Sequence, residues 1–431
     1  MDLNCSTNPY SSDEHQKGAS RPLWGSMVWL ALTCAAVGVF VSVKFSAGNH
    51  IFLLVSGLMA AAHAIRCKGW QFLPKSAWAL LSLCLVGLVA NLINWHGMVD
   101  PLRATLKLKY FVMGVLGVVA FRWVAEKTET QKWGARIFNL LMVSIIVSVL
   151  YAVIGHLTGF DLKEWGDSDF TRRGGLTGTM RFGYGMGMML PVLIGMLVFC
   201  RSKLNAFQNN ILIGAIVFGV IGLLLTETRG GLLAALIGLG VLGFMKSRAA
   251  GIKFMLFGGG VLAIMIAVNI SIDSGENNWR SSGYFRGLDD GQRLSIYQGA
   301  LAAIDERPLR GLGHYQLGQH LSEIKERHGI AHVHGEASHA HNIFLQTGAD
   351  FGLIGLLALV AWMGLWIREL LAVGGLPMKL GLPFIAAMVV GGQFEYIFDA
   401  NNSVLIFTVY AISLSPLLVE FNKKKNGGLA D

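Results

Sequence analysis

An α-helix needs roughly 20 apolar residues to cross the hydrocarbon core of a bilayer, and this chain repeats runs of about that length with hardly a charge inside them. Read between polar breaks, there are twelve: about 23–43, 48–65, 77–95, 107–125, 136–157, 182–200, 210–227, 230–245, 254–273, 343–367, 379–398 and 402–420. With 53% hydrophobic and only 14% charged residues among 431, the chain is expected to be an all-α polytopic membrane protein of about twelve transmembrane helices, forming a single membrane domain over 1–431. The polar first twenty residues, and the lack of a small-residue cleavage pattern after the first run, point to an uncleaved first span. All five cysteines (Cys5, Cys34, Cys67, Cys84, Cys200) fall in expected spans or cytoplasmic segments, so no disulfide is expected on the outer face.

A net charge of +9 raises the question of nucleic acid, but position answers it. With both termini inside, 19 of the 35 basic residues fall on the cytoplasmic side, among them Arg66, Lys68 and Lys75, Arg122 to Arg136, Lys246 to Lys253, and Lys423 to Lys425. This is the ordinary excess of retained positive charge in a membrane chain, and no nucleic-acid partner is expected. Arginines that remain outside against that bias need another reason. Arg172, Arg173 and Arg181 lie in FTRRGGLTGTMRFGYG, and Arg229 lies in the tight turn TETRGG between the seventh and eighth spans. There an unpaired guanidinium is costly and marks a functional position unless it snorkels or pairs with Glu227.

One outer segment, 274–342, is far too long for a simple connection. It carries two helical patterns. DDGQRLSIYQGALAAIDERP places Leu294, Tyr297, Leu301 and Ile304 on one face, with Asp289 or Asp290 as cap and Pro308 as stop. HYQLGQHLSEIKERHG has Leu317, Leu321 and Ile324 as its stripe and Gly329 as its stop, and the glycine-rich turn PLRGLG joins the two. Two helices are therefore expected over the outer mouth of the bundle, with Arg293 on the first.

Seven of the twelve histidines also lie there: His314, His320, His328, His332, His334, His339 and His341. HVH and HAH can supply metal ligands, but no H-E-x-x-H pair and no outer cysteine accompanies them, and no metal is expected. His314, His320 and His328 read as solvated surface. In a helix starting near 341, positions 341, 345, 348, 352 and 355 share a face, and Gly348, Gly352 and Gly355 make it a seam for a close neighbour. His341 then crowns an interhelical groove, Asn342 caps the helix, and Asp350 points to roughly the opposite face. Histidine is the natural general base at neutral pH, and arginines clamp a diphosphate without being deprotonated. The combination suits attack by a hydroxyl on a carbon whose leaving group is a diphosphate. Glycoside hydrolysis needs paired carboxylates instead, and the outer mouth offers only Glu395 and Asp399 as secondary positions.

These residues resemble the bacterial O-antigen ligases, within the wider group that includes O-antigen polymerases and protein O-oligosaccharyltransferases. His341-Asn342, nine residues, then Gly352-Leu353-Ile354-Gly355 is similar to the ligase His-Asn-Gly pattern. TETRGG resembles the family's outer arginine turn, GQRLSIY its loop arginine, and the stretch from Arg172 the segment before its sixth span. The resemblance covers about 170–355. It implies a GT-C-like glycosyltransferase in the bacterial inner membrane, with a periplasmic site that moves O-antigen from undecaprenyl pyrophosphate to a sugar hydroxyl of lipid A-core. The transfer would be a single inverting displacement, without metal or other cofactor. It further implies His341 as base and Arg229 and Arg293 on the diphosphate, with Arg172, Arg173, Arg181, His339 and Asn342 contacting substrate and membrane lipids surrounding the chain. HAH leaves His339 and His341 both open as the base. An O-antigen polymerase, or a non-catalytic transporter or flippase of an anionic polyprenyl lipid, remains the alternative.

Overall fold

The computed structural model of the protein describes residues 23–68, 73–124, 130–158, 174–256, 259–260, 290–331, 338–398 and 400–415. Arg172, Arg173, His332, His334 and Asp399 lie outside them, as does most of the expected ninth span. Among the described residues the long helices run in order α1 (Leu23–Gly38), α2 (Val43–Lys68), α3 (Lys75–Asn94), α4 (Pro101–Lys107), α5 (Lys109–Val124), α6 (Thr130–Thr158), α7 (Thr179–Cys200), α8 (Ala206–Leu225), α9 (Arg229–Lys246), α10 (Asp290–Glu306), α11 (Leu317–Arg327), α12 (Ile343–Val373), α13 (Gly375–Gly391) and α14 (Ala400–Ser413). Eleven of the twelve expected spans coincide with a helix. Among the described residues, eight helical stretches are long and apolar enough to cross a membrane, and Ser26–Gly38 and Gly375–Gly391 are shorter apolar helices. The count of twelve crossings is thus not reached among the described residues, but a polytopic all-helical membrane protein is.

Lipid tails are as apolar as leucine, so helices in a membrane associate through close packing at small residues rather than through a net hydrophobic gain. Helices α7 and α9 do this at one end of the bundle. Thr228 fills the space a side chain on Gly183 would need, and Gly187 lies against the Gly231 carbonyl. Helix α13 closes on α9 where Gly238 faces the Pro383 carbonyl. Away from that end, Trp362 and Trp366 of α12 pack on Tyr410 of α14, with ring centroids 5.6 and 4.9 Å apart.

The expected pair of outer helices is present as α10 and α11. Gly329, at φ +62°, follows the end of α11, and Leu317, Leu321 and Ile324 are 0–4% exposed, each burial contributing roughly 1.5–3 kcal/mol. The expected apolar face of α10 is corrected. Leu294 and Leu301 are exposed (58% and 55%) and Ile296, Ala300 and Ala303 are buried, while Tyr297 and Ile304 of the expected face are partly buried against them. Leu321 lies where a side chain on Gly299 would stand, so this stripe of small residues lets α11 approach more closely than a leucine ridge would. With Leu312, Ala340 and Ala349 these residues form a small second core between the cap and α12.

The glycine seam of α12 is corrected as well. Gly352 has φ +70° and ψ −175°, which interrupts the helix, so positions 341 to 355 do not continue one face. The turn after α10 enters the break: Leu353 N–H donates to the Pro308 carbonyl (2.7 Å), while Leu312 and Gly313 donate to the carbonyls of Ala349 and Asp350 (both 2.9 Å). Backbone groups freed by the interruption are thereby satisfied. Gly311, at φ +62°, is pressed against the Asp350 carbonyl, where no side chain fits.

His314 is not surface. It is 2% exposed, its Nδ1 lies 3.5 Å from Asp350 Oδ2, and its N–H donates to Asn91 Oδ1 at 2.7 Å. Asp350 also accepts from Tyr315 N–H at 2.9 Å. The acid thus anchors the inserted loop.

Candidate active site

The start of α12 is built from three adjacent choices in the chain. His341 adopts φ +49°, a left-handed conformation that costs about 1–3 kcal/mol outside glycine unless the surroundings hold it. Asn342 then caps the helix as expected, accepting from Phe344 N–H (2.9 Å) and Leu345 N–H (3.1 Å). Ile343 N–H donates to the Gly392 carbonyl at 2.7 Å, which ties the start of α12 to the end of α13.

Residues 392–398, after α13, contact the start of α12, α10 and the first turn of α9. Asn342 Nδ2 donates to Gln393 Oε1 (3.0 Å), and Tyr297 Oη of α10 donates to the Gln393 carbonyl (3.0 Å). Phe394 Cβ would stand 2.7 Å from a Cβ on Gly230, the residue after Arg229. Glu395 reaches both histidines of HAH: His339 Nε2 lies 3.2 Å from Oε1, and His341 Nδ1 lies 3.2 Å from Oε2. The imidazole centroids are 4.2 Å apart.

The protons on this trio follow from the donors. Backbone N–H can only donate, and His341 N–H points at His339 Nδ1 (3.2 Å). A neutral His339 therefore carries its hydrogen on Nε2, directed at Glu395. Burial pushes His339 below the ordinary histidine value, against the pull of Glu395 and with the repulsion of His341. Burial pushes the Glu395 carboxyl up, but the hydrogen bond from His341 and the charges of both histidines outweigh it and hold Glu395 below the usual carboxylate range. The arrangement is a carboxylate between two imidazoles, with His341 31% and His339 21% exposed.

His339, His341 and Glu395 are also, among the described residues, a group whose ligand atoms lie close enough together to hold a metal ion, all within 4.8 Å. Their hydrogen bonds fit that role poorly. Metal binding through His339 Nε2 would put the ring hydrogen on Nδ1, against the His341 N–H that already points there.

Of the arginines, Arg229 is the first residue of α9 and half-buried, and Arg181 is half-buried in the first turn of α7. The helix contacts at Gly183 and Gly231 set these two N-terminal turns side by side, where the helix dipoles also favour negative charge. Arg293 is exposed in the first turn of α10, one turn before Tyr297. The 392–398 segment thus joins the elements carrying Arg229, Arg293, His339, His341 and Asn342. Glu395, expected only as a secondary position, touches both histidines, while Tyr297, expected only on the apolar face of α10, and Gln393, not among the expected residues, adjoin it. The polar set Gln393, Glu395 and Tyr396 directly after Gly391-Gly392 was the available signal. Asp350 faces the His314 loop.

A search of curated proteins returns no match. Residues 214–360, which include Arg229, Arg293, His339, His341 and Asn342, match the family model described as O-antigen ligase.

Proposed function

We propose that the protein is an O-antigen ligase of GT-C-like architecture, transferring a glycan from undecaprenyl pyrophosphate to a sugar hydroxyl of lipid A-core at the periplasmic face of the bacterial inner membrane. The observation that carries this reading is the placement of His341 beside Glu395, whose segment 392–398 also contacts the helices that bear Arg229 and Arg293. In the reaction the acceptor hydroxyl oxygen bonds to the anomeric carbon as the bond from that carbon to the diphosphate oxygen breaks. The electron pair leaves on the diphosphate, and the hydroxyl proton passes to His341 Nε2. Arg229 and Arg293, with Arg181 beside Arg229, bind the diphosphate, where fixed guanidinium charge stabilises the leaving group. Arg172 and Arg173 belong to the same outer arginine set. Asn342 sets the helix start that presents His341, and no metal or other cofactor enters the step.

The test is purified protein incubated with undecaprenyl pyrophosphate-linked O-antigen and, in separate reactions, lipid A-core or a second lipid-linked glycan. Glycan on lipid A-core is the expected product. Elongated lipid-linked glycan alone would make the protein a polymerase, and no product with either acceptor would overturn the transferase reading.

A further inference from the structure

We infer that Glu395 is a positioning residue for His341, selecting the ring tautomer and fixing its angle, while His339 holds Glu395 in place. This inference rests on the reading of His341 as base. A neutral imidazole carries one hydrogen, and only the nitrogen without it can take a proton from a hydroxyl. At His341, Nδ1 faces Glu395 Oε2 at 3.2 Å. Glu395 is held ionised, chiefly by the His341 hydrogen bond and the two histidine charges acting against burial, and an ionised carboxylate only accepts. The hydrogen of His341 therefore sits on Nδ1. Nε2 keeps its lone pair, and among the described residues no hydrogen bond to it is made.

Glu395 is itself fixed at both oxygens. Oε1 accepts from Tyr396 N–H at 2.9 Å and faces His339 Nε2 at 3.2 Å. His339 cannot serve as the base in this arrangement, because its Nδ1 is occupied by the His341 N–H and its Nε2 hydrogen is directed at Glu395. The two histidines two positions apart thus have different tasks: His341 takes the proton, and His339 braces the carboxylate that orients it. A neutral amide at 395 must turn its NH2 toward one of the two imidazole N–H groups. If it faces His341 Nδ1, it moves that hydrogen to Nε2 and removes the base.

The experiment measures transfer kinetics and thermal unfolding of full-length Glu395→Gln, Glu395→Asp and His341→Ala proteins in parallel. For Glu395→Gln the expectation is a fall in kcat of roughly 10²–10⁴, by the logic of a base held in the wrong tautomer. Its KM for the lipid-linked donor should stay within about threefold, the mark of an interaction made only in the transition state, and its melting temperature should be close to that of the parent. Glu395→Asp, which keeps the carboxylate, should recover part of the rate. A Glu395→Gln protein with full kcat overturns the inference, and so does a loss that Glu395→Asp shares in full or one confined to donor KM. His341→Ala separates the two levels. If it transfers glycan normally, the reading of His341 as base fails. If it is inactive while Glu395→Gln is fully active, only the positioning role fails.

Discussion

Leu353 donates its backbone N–H to the carbonyl of Pro308 at 2.7 Å, so the interruption of α12 at Gly352 is filled by the turn that follows α10. Gly352 holds φ +70°, and a Cβ there would lie 2.6 Å from the backbone of Leu309. Gly352→Ala therefore meets both a backbone penalty and a contact that the loop cannot relieve. It should destabilise the protein by about 1–3 kcal/mol or more, read as a lowered melting temperature in detergent. Because the same loop seats the segment that carries His341, transfer should fall with it. A variant as stable and active as the parent would show that the break is not required.

Tyr297 is the direct tether between α10 and the segment bearing Glu395, through its hydroxyl on the Gln393 carbonyl. Tyr297→Phe removes one hydrogen bond and little else, a loss of about 1 kcal/mol. The expected outcome is a transfer rate reduced severalfold with unchanged membrane insertion, measured on lipid A-core. No change in rate would mean that the position of α10, and of Arg293 on it, does not depend on this bond.

Arg229 begins α9 at the turn where Thr226 and Thr228 share a 2.8 Å hydroxyl contact, so its backbone position is fixed. Arg229→Lys keeps the charge but loses the planar fork that matches a phosphate. Donor KM should rise by about tenfold or more, equivalent to roughly 1.4 kcal/mol. Full activity with unchanged donor KM would place the diphosphate elsewhere.

The helices were legible because apolar runs of spanning length have few other solutions, and α11 was legible because Leu317, Leu321 and Ile324 repeat at helical spacing. The break in α12 was not, since Gly352 sits inside an apolar run whose pattern continues through it; only the neighbouring loop reveals why the chain turns there. Helix α10 misled through its leucines, because the close approach to α11 selects Gly299, Ala300 and Ala303 over larger side chains. At the site, HAH and its cap could be read locally, whereas Glu395 lies 54 positions from His341. Nothing local says that the turn after α13 folds back onto the start of α12.

His314 gives a prediction for pH. It is enclosed between Asn91, Asp350 and Phe351, with a ring centroid 5.2 Å from that of Phe351. Burial pushes it below the ordinary histidine value of 6.5 despite the nearby Asp350 carboxylate, and Lys107 adds to the depression. The unfolded chain then binds a proton near pH 6.5 that the folded protein refuses. This contribution to stability is present above that pH and is lost as pH falls below it, toward the lower folded value. His339, also depressed, acts with the same sign. The carboxyls of Glu395 and Glu306 are held below their ordinary 4.5, so their losses come at lower pH and leave the interval from 7 to 5 to the histidines. Melting temperature should therefore decline from pH 7 to 5 in the parent. In His314→Gln it should start lower but decline less, because one of the titrating groups is gone while His339 remains. Parallel declines in the two proteins would mean that His314 is not held neutral against the inserted loop.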